Sequence, residues 1–88
     1  MARQILPGQT YRHFKGGLYI VLDIVNDSNT NRDDEIQKIV IYQALYGERA
    51  KWARNLDEFA SEVDHAKYPD VKQKYRFEEI EVGVKDGQ

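Results

Sequence analysis

The stretch that decides the fold is YRHFKGGLYIVLDI, Tyr11 to Ile24, in which an aromatic and basic run precedes two glycines and an apolar segment. From Leu18 to Val25 apolar residues alternate onto both faces, which is typical of a strand covered on both sides. Gly16 and Gly17 supply the positive φ angles of a two-residue hairpin turn. The pattern therefore predicts that Thr10 to Phe14 pairs with a central strand, with Phe14 in the core.

Two further strands are predicted beyond this hairpin. Ile36 to Leu45 has apolar residues on both faces and is rich in β-branched residues in its first half, so we expect it to pair antiparallel with the central strand. Lys51 to Asn55 is a shorter strand that directs Trp52 and Arg54 to one side. These strands would complete most of a small sheet.

The last predicted strand changes face along its length. Ile80 to Val84 alternates cleanly, but Phe77 lies on the opposite parity. A slip of one residue sends a side chain to the other face of a sheet. We therefore expect a β-bulge or strand break at Glu78 or Glu79, which would let Phe77 and Ile80 share one core.

A short helix is predicted between the fourth and fifth strands. Asn55 followed three residues later by Glu58 is a variant of the capping box that begins helices. The apolar residues that recur at helical spacing over two turns are Leu56, Phe59, Ala60 and Val63. A helix this short depends on packing for its stability, so Phe59 is its expected anchor.

Together these elements predict a mainly β fold. It is a small, twisted antiparallel sheet of about five strands that forms an SH3-like, partly open barrel with one short helix. An open α+β sheet with the helix laid across one face is the alternative. The length of 88 residues predicts a single domain over residues 1–88, with its core within about residues 8–84.

Composition excludes several functional classes. The net charge of −2 and the pI near 5.6 argue against a general polyanion binder, which needs clustered Lys and Arg. The absence of Cys excludes disulfides, thiolate zinc sites and a Cys nucleophile. No signal-peptide core is found and no stretch approaches the roughly 18 apolar residues of a membrane span. We expect a cytoplasmic protein with no membrane partner.

The polar loop Asn26 to Glu35 has some features of a calcium site. Four of its residues match oxygen-donor positions of the EF-hand loop: Asp27, Asn29, Asn31 and Asp33. The match then fails, because Arg32 replaces the glycine of the sharp turn and Lys38 replaces the bidentate Glu. Strands rather than helices also flank the loop. We therefore expect neither a metal nor a cofactor.

Catalytic signals are weak. The chain has two histidines, His13 and His65, and no phosphate-binding glycine loop, G-x-S-x-G or H-E-x-x-H motif. His13 would act as a general base only if a carboxylate oriented its ring. A non-catalytic protein is favoured, and a small enzyme built around His13 stays as an alternative.

An aromatic and basic surface is the stronger candidate site. Its predicted residues are Tyr11, His13, Tyr42, Tyr46, Trp52 and Arg54. Planar rings beside a guanidinium can stack a base, stack an aromatic side chain or bind an anion, although the same rings can simply fill a core. This predicts a binding or regulatory domain for a protein, a peptide, a nucleotide or another small anionic ligand, as a monomer or weak oligomer.

The alternative partner is single-stranded nucleic acid, since basic residues interleaved with aromatic ones suit unpaired strands. The basic residues that would contact it are Arg12, Lys15, Arg49, Lys51 and Arg54. The acidic overall charge makes this partner the less favoured one.

Four sequence blocks occur in the order YRHFKGGLYIVLDI, IVIYQALYG, Trp52 with Arg54 before LDEF, and RFEEI. In these blocks the chain resembles the bacterial family catalogued as domain of unknown function 1653. The resemblance covers Gly8 to Ile80. It implies no activity, substrate or catalytic residue. The segments 26–35 and 64–74 are longer than the resemblance leads us to expect.

Overall fold

The structure is a computed structural model that describes residues 4–30 and 35–80. Its elements in chain order are β1 (Thr10–His13), β2 (Leu18–Asn26), β3 (Lys38–Ala44), β4 (Lys51–Asn55), α1 (Leu56–Phe59) and β5 (Phe77–Ile80). The strands form one five-stranded antiparallel sheet in the order β4-β3-β2-β1-β5. The predicted mainly β class, with five strands and one short helix, is confirmed.

The sheet is open, and within the described residues β4 and β5 are its two edges. The edges nevertheless approach each other, because Arg54 Cζ on β4 lies 6.0 Å from the centroid of the Phe77 ring on β5. Helix α1 follows β4 directly, and its Phe59 ring stacks on Phe77 with 4.1 Å between centroids. The sheet therefore curls around a core that α1 covers at one end.

The core consists mainly of aromatic rings on the inner face of the sheet. Phe59 is fully buried, and the Tyr11 and Tyr42 rings each meet it edge to face at 5.3 Å. Edge-to-face geometry is favourable for aromatic pairs and adds about 0.5–1.5 kcal/mol to the burial of each pair. Phe59 is thus the anchor that the sequence predicted for the helix.

The hairpin between β1 and β2 has a longer turn than predicted. The Gly16 N–H donates to His13 O and the His13 N–H donates to Gly17 O, which leaves residues 14–17 in the loop. Gly16 has a φ of 111°, as a glycine turn requires, but Gly17 does not have a positive φ. A Cβ on Gly17 would lie 2.8 Å from Tyr46 Cε1. The predicted two-residue turn was therefore wrong, because the loop has four residues, and a side chain at Gly17 would displace the Tyr46 ring.

The core residue predicted for this hairpin was wrong. Tyr11 is 2% exposed and belongs to the core, where its hydroxyl donates to Gln9 Oε1. Phe14 is only half-buried and packs between the His13 ring and Tyr68. Phe14 follows the end of β1 and stacks on the ring of its neighbour His13, so the alternation of a strand does not extend to it.

The β-bulge lies in β2 rather than in β5. The register of β2 on β3 shifts between Val21 and Asp23, leaving Leu22 as the extra residue. Because of this shift both Val21 and Ile24 reach the core despite their opposite parity. β5 pairs with β1 in one continuous register over its four residues, so the bulge expected at 78 or 79 was wrong. Positions 82 and 84 lie outside the described residues.

The start of α1 is capped as predicted, and its end comes earlier. Asn55 Oδ1 accepts hydrogen bonds from the N–H groups of Asp57 at 2.8 Å and Glu58 at 3.2 Å. The helix ends at Phe59 after one turn instead of two, because the chain leaves to pair elsewhere, with the Val63 N–H donating to Lys74 O. No helix among the described residues is long and apolar enough to cross a membrane.

Replacing Phe59 by Ala should lower the free energy of unfolding by about 3–5 kcal/mol, because it removes the ring that three aromatic neighbours contact. Urea denaturation would measure the loss. Phe14→Ala is the matched control, and its half-buried ring should cost clearly less. Equal losses in the two variants would contradict the placement of the core.

Candidate functional site

The uncovered end of the inner face forms a pocket of about 200 Å³. Four of its lining residues were predicted from the sequence and two were not; the six are His13, Tyr42, Trp52, Arg54, Tyr19 and Phe77. The sheet register explains the meeting, since Trp52 lies opposite Tyr42 and His13 lies opposite Phe77. Directly opposed residues of antiparallel strands share one face.

A second pocket of about 410 Å³ adjoins the first and shares two of its residues, His13 and Tyr19. Lys15, Gly17 and Tyr46 complete its lining. We call the two pockets together the aromatic groove. Five of the six predicted site residues therefore lie along one concave surface.

The sixth predicted residue, Tyr11, lies in the core and lines neither pocket. Tyr42 has both roles, because its ring is 4% exposed while its hydroxyl reaches the pocket side chain Arg54. Tyr19 and Phe77 were missed because their strand patterns were interpreted only as packing. The observed four-residue loop pairs Tyr19 with Tyr11 and places both on the same face, whereas the predicted two-residue turn would pair Tyr19 with Phe14.

Arg54 is held at the side of the groove by partial contacts. Its Nε donates to the Tyr42 hydroxyl at 3.2 Å, and its Nη1 lies 3.3 Å from Glu58 Oε1. Partial burial acts to lower the pKa of the guanidinium, but Tyr42 and Glu58 outweigh it, so the pKa is raised. The ion pair with an exposed Glu58 is weak, so a better-placed anion can replace it.

Trp52 is the least covered ring of the inner face. It lies opposite the buried Tyr42, yet 54% of its surface is exposed. It lies two residues before Arg54 on the same strand, so both side chains project from the same face. Exposed aromatic rings and Arg side chains are both enriched in binding surfaces.

His13 lies in a basic environment without a carboxylate partner among its described contacts. Burial lowers the pKa of its imidazole to about 4, and the positive charges of Arg54, Arg76 and Lys15 act in the same direction. Its Nδ1 accepts a hydrogen bond from the Lys15 N–H at 3.1 Å. This bond assigns the proton of the neutral ring to Nε2. The Nε2–H group is the donor of this ring, and no carboxylate of residues 4–30 and 35–80 is hydrogen-bonded to it.

Tyr19 lines both pockets, and its neighbour Tyr46 lines the second one. Their hydroxyl groups are hydrogen-bonded to each other, and the Tyr46 ring lies over Gly17. Burial raises the pKa of Tyr19 to about 12, and the hydrogen bond with Tyr46 acts in the same direction. The Tyr19 phenol is therefore a neutral polar group in the groove.

The geometry gives little support to the nucleic-acid and calcium hypotheses. Of the residues proposed for nucleic acid, Lys15 and Arg54 line the groove, whereas Arg12 lies on the opposite side of β1 from His13. Positions 31–34 of the calcium-like loop lie outside the described residues. Within residues 4–30 and 35–80, no cluster of three His, Asp or Glu residues is placed to hold a metal ion.

Comparison with known proteins gives a family. The model of a family described as a protein of unknown function, DUF1653, matches residues 9–79. The matched segment contains every residue of the aromatic groove. No curated protein and no solved structure matches the chain.

An NMR titration should give His13 a midpoint near pH 4 in the folded protein. The ordinary pKa of 6.5 applies in the unfolded chain, so the unfolded state binds the proton more readily. The resulting contribution to stability is complete above about pH 6.5 and is lost as the pH falls towards 4. His13→Asn should remove this part of the pH dependence, and Arg54→Gln should raise the pKa of His13. A midpoint near 6.5 would contradict the basic, partly buried environment.

Proposed function

Because the chain belongs to the DUF1653 family, whose description assigns no activity, we propose its function from the aromatic groove alone. The protein is a non-catalytic binding domain for a ligand that carries an anionic group next to a planar or apolar group. The anionic group binds Arg54, and the planar group packs on Trp52.

The observation that carries this proposal is the pairing of an exposed Trp52 with Arg54 on the inner face of the sheet. Inner-face side chains are normally covered, as the neighbouring Val40 and Tyr42 are. A ligand on Trp52 would cover apolar surface, which favours binding by about 25 cal/mol for each Å². An anion at Arg54 would form charge-assisted hydrogen bonds, which are the stronger kind.

The charges around His13 support an anionic ligand. Three cationic side chains act on the imidazole and help to keep it neutral. A negative group in the groove would reduce the repulsion among these side chains and would therefore raise the pKa of His13. The same electrostatics disfavour a cationic ligand.

The size of the site limits the ligand. A pocket of about 200 Å³ is smaller than the roughly 300–1,000 Å³ of typical small-molecule sites. It accommodates one ring or one side chain with its charged group, and the adjoining pocket extends the surface past Tyr46. A single functional group of a larger partner fits this geometry well.

Phenyl phosphate should bind and change the emission of Trp52, which is the only tryptophan of the chain. Arg54→Gln should weaken the affinity at least about tenfold, because the charge-assisted hydrogen bonds are lost. Arg12→Gln is the matched control, since Arg12 is exposed on the other side of β1 and should leave binding unchanged.

Two results would contradict the proposal. Benzyl alcohol could bind as tightly as phenyl phosphate, or the two arginine variants could behave alike.

A short oligo(dT) tests the nucleic-acid alternative. If that strand binds tightly and its affinity falls steeply as salt is added, the ligand is a polyanion rather than a single anionic group.

A further inference from the structure

We propose that the ligand of the aromatic groove is an extended acidic peptide that adds as a further strand to the free edge of β4. This inference rests on the proposed binding function and specifies the ligand class. It depends on the backbone of β4, on the faces of its side chains and on its charge.

The first step concerns the hydrogen-bonding groups of β4. The Ala44 N–H donates to Ala50 O at 2.9 Å, so these residues form a hydrogen-bonded pair at the start of the β3–β4 ladder. In antiparallel sheets bonded and non-bonded pairs alternate. Trp52 and Arg54 therefore direct their backbone groups towards β3, and Lys51 and Ala53 direct theirs outwards.

Those outward groups have no neighbouring strand within the described part of the chain, because β4 ends the sheet. The opposite edge of the sheet, β5, differs because another segment pairs with the chain just before the strand begins. There the Val63 N–H donates to Lys74 O and the Arg76 N–H donates to Ser61 O, just before β5 begins. The edge of β4 carries two groove residues, Trp52 and Arg54, so a strand that adds to this edge lies next to the groove.

The second step concerns side chains. An added strand would place alternate residues on the inner face, directly across from Trp52 and Arg54. Cross-strand neighbours on one face lie within contact distance. An acidic residue opposite Arg54 would replace the 3.3 Å contact with the exposed Glu58. The next residue on that face would cover Trp52, so the proposed site and the edge would act together.

The third step concerns charge. Residues 49–55 contain three basic side chains and no acidic one; they are Arg49, Lys51 and Arg54. Basic residues on an edge strand oppose pairing with an identical strand. They favour a strand of opposite charge, because opposite charges across two strands attract. Charge complementarity therefore selects an acidic peptide over a second copy of this chain.

The probe is a blocked synthetic peptide of about eight residues in which the unit Glu-Thr-Phe-Thr repeats, so that its Glu and Phe side chains share one face and can meet Arg54 and Trp52. It should bind and shift the amide resonances of Lys51 and Ala53 together with that of Trp52. The same peptide with Lys in place of Glu is the charge control and should not bind. Equal affinity of the two peptides would overturn the proposal.

Backbone pairing is tested by two N-methylated isomers of this peptide. One isomer is methylated on every Glu and Phe nitrogen and the other on every Thr nitrogen, so each loses the donors of one strand edge. One isomer should bind like the parent, and the other should bind at least about tenfold more weakly. Equal behaviour of the two isomers, whether both bind or neither does, would overturn the added strand.

Ala53→Pro provides the matched change in the protein. It removes an outward N–H, which an edge strand tolerates, and leaves the ladder to β3 intact. Peptide affinity should fall at least about tenfold while phenyl phosphate still binds. If this variant does not fold, the two peptide isomers still decide the question. Concentration-dependent dimerisation without peptide, abolished by Ala53→Pro, would make a second copy the occupant and overturn the proposal.

The result with phenyl phosphate separates this inference from the function on which it rests. Binding of phenyl phosphate without binding of any peptide would overturn the added strand and leave the groove as an anion site. Failure of both probes would overturn the proposed function as well.

Discussion

The stack of Phe59 on Phe77 links the two edges of the open sheet. Phe59 lies at the end of the helix that follows β4, and Phe77 is the first residue of β5, so the contact joins elements from opposite edges. The rings are nearly parallel, with an interplanar angle of 6°. Because the stack draws the edges together at one end, the sheet curls and the rings of Tyr11 and Tyr42 are enclosed. The other end stays open as the aromatic groove.

Much of this fold could be predicted because its signals are local. The bounds of β4 and the cap at Asn55 depend on neighbouring residues, and both agree with the structure. The position of the bulge could not be predicted from neighbouring residues, because it depends on how the nine residues of β2 match β3. The role of Gly17 was equally out of reach. It is set by the Tyr46 ring, which is distant in sequence, and turn chemistry alone suggested another reason for the glycine.

The candidate site was predicted by residue type more than by position. Trp52 and Arg54 could be placed together because they alternate on one short strand. Tyr11 could not be separated from them, since an aromatic ring on a strand suits a core and a binding surface equally. What decides between these roles is the coverage by α1, which ends at Phe59 and covers Tyr11 but not Trp52. The sequence had predicted a helix of two turns.

The early end of α1 also explains why the groove is polar at its margin. With one turn of helix, the apolar cover stops at Phe59, and Arg54 lies beside Phe77 at the boundary between core and solvent. A guanidinium keeps its charge there because it stacks on a ring and retains water on its other side. The positive field that results lowers the pKa of His13, whose burial already disfavours the charged form. Folding therefore leaves a donor imidazole, a cation and an exposed Trp52 on one surface, and the proposal of an anionic ligand with a planar group rests on this arrangement.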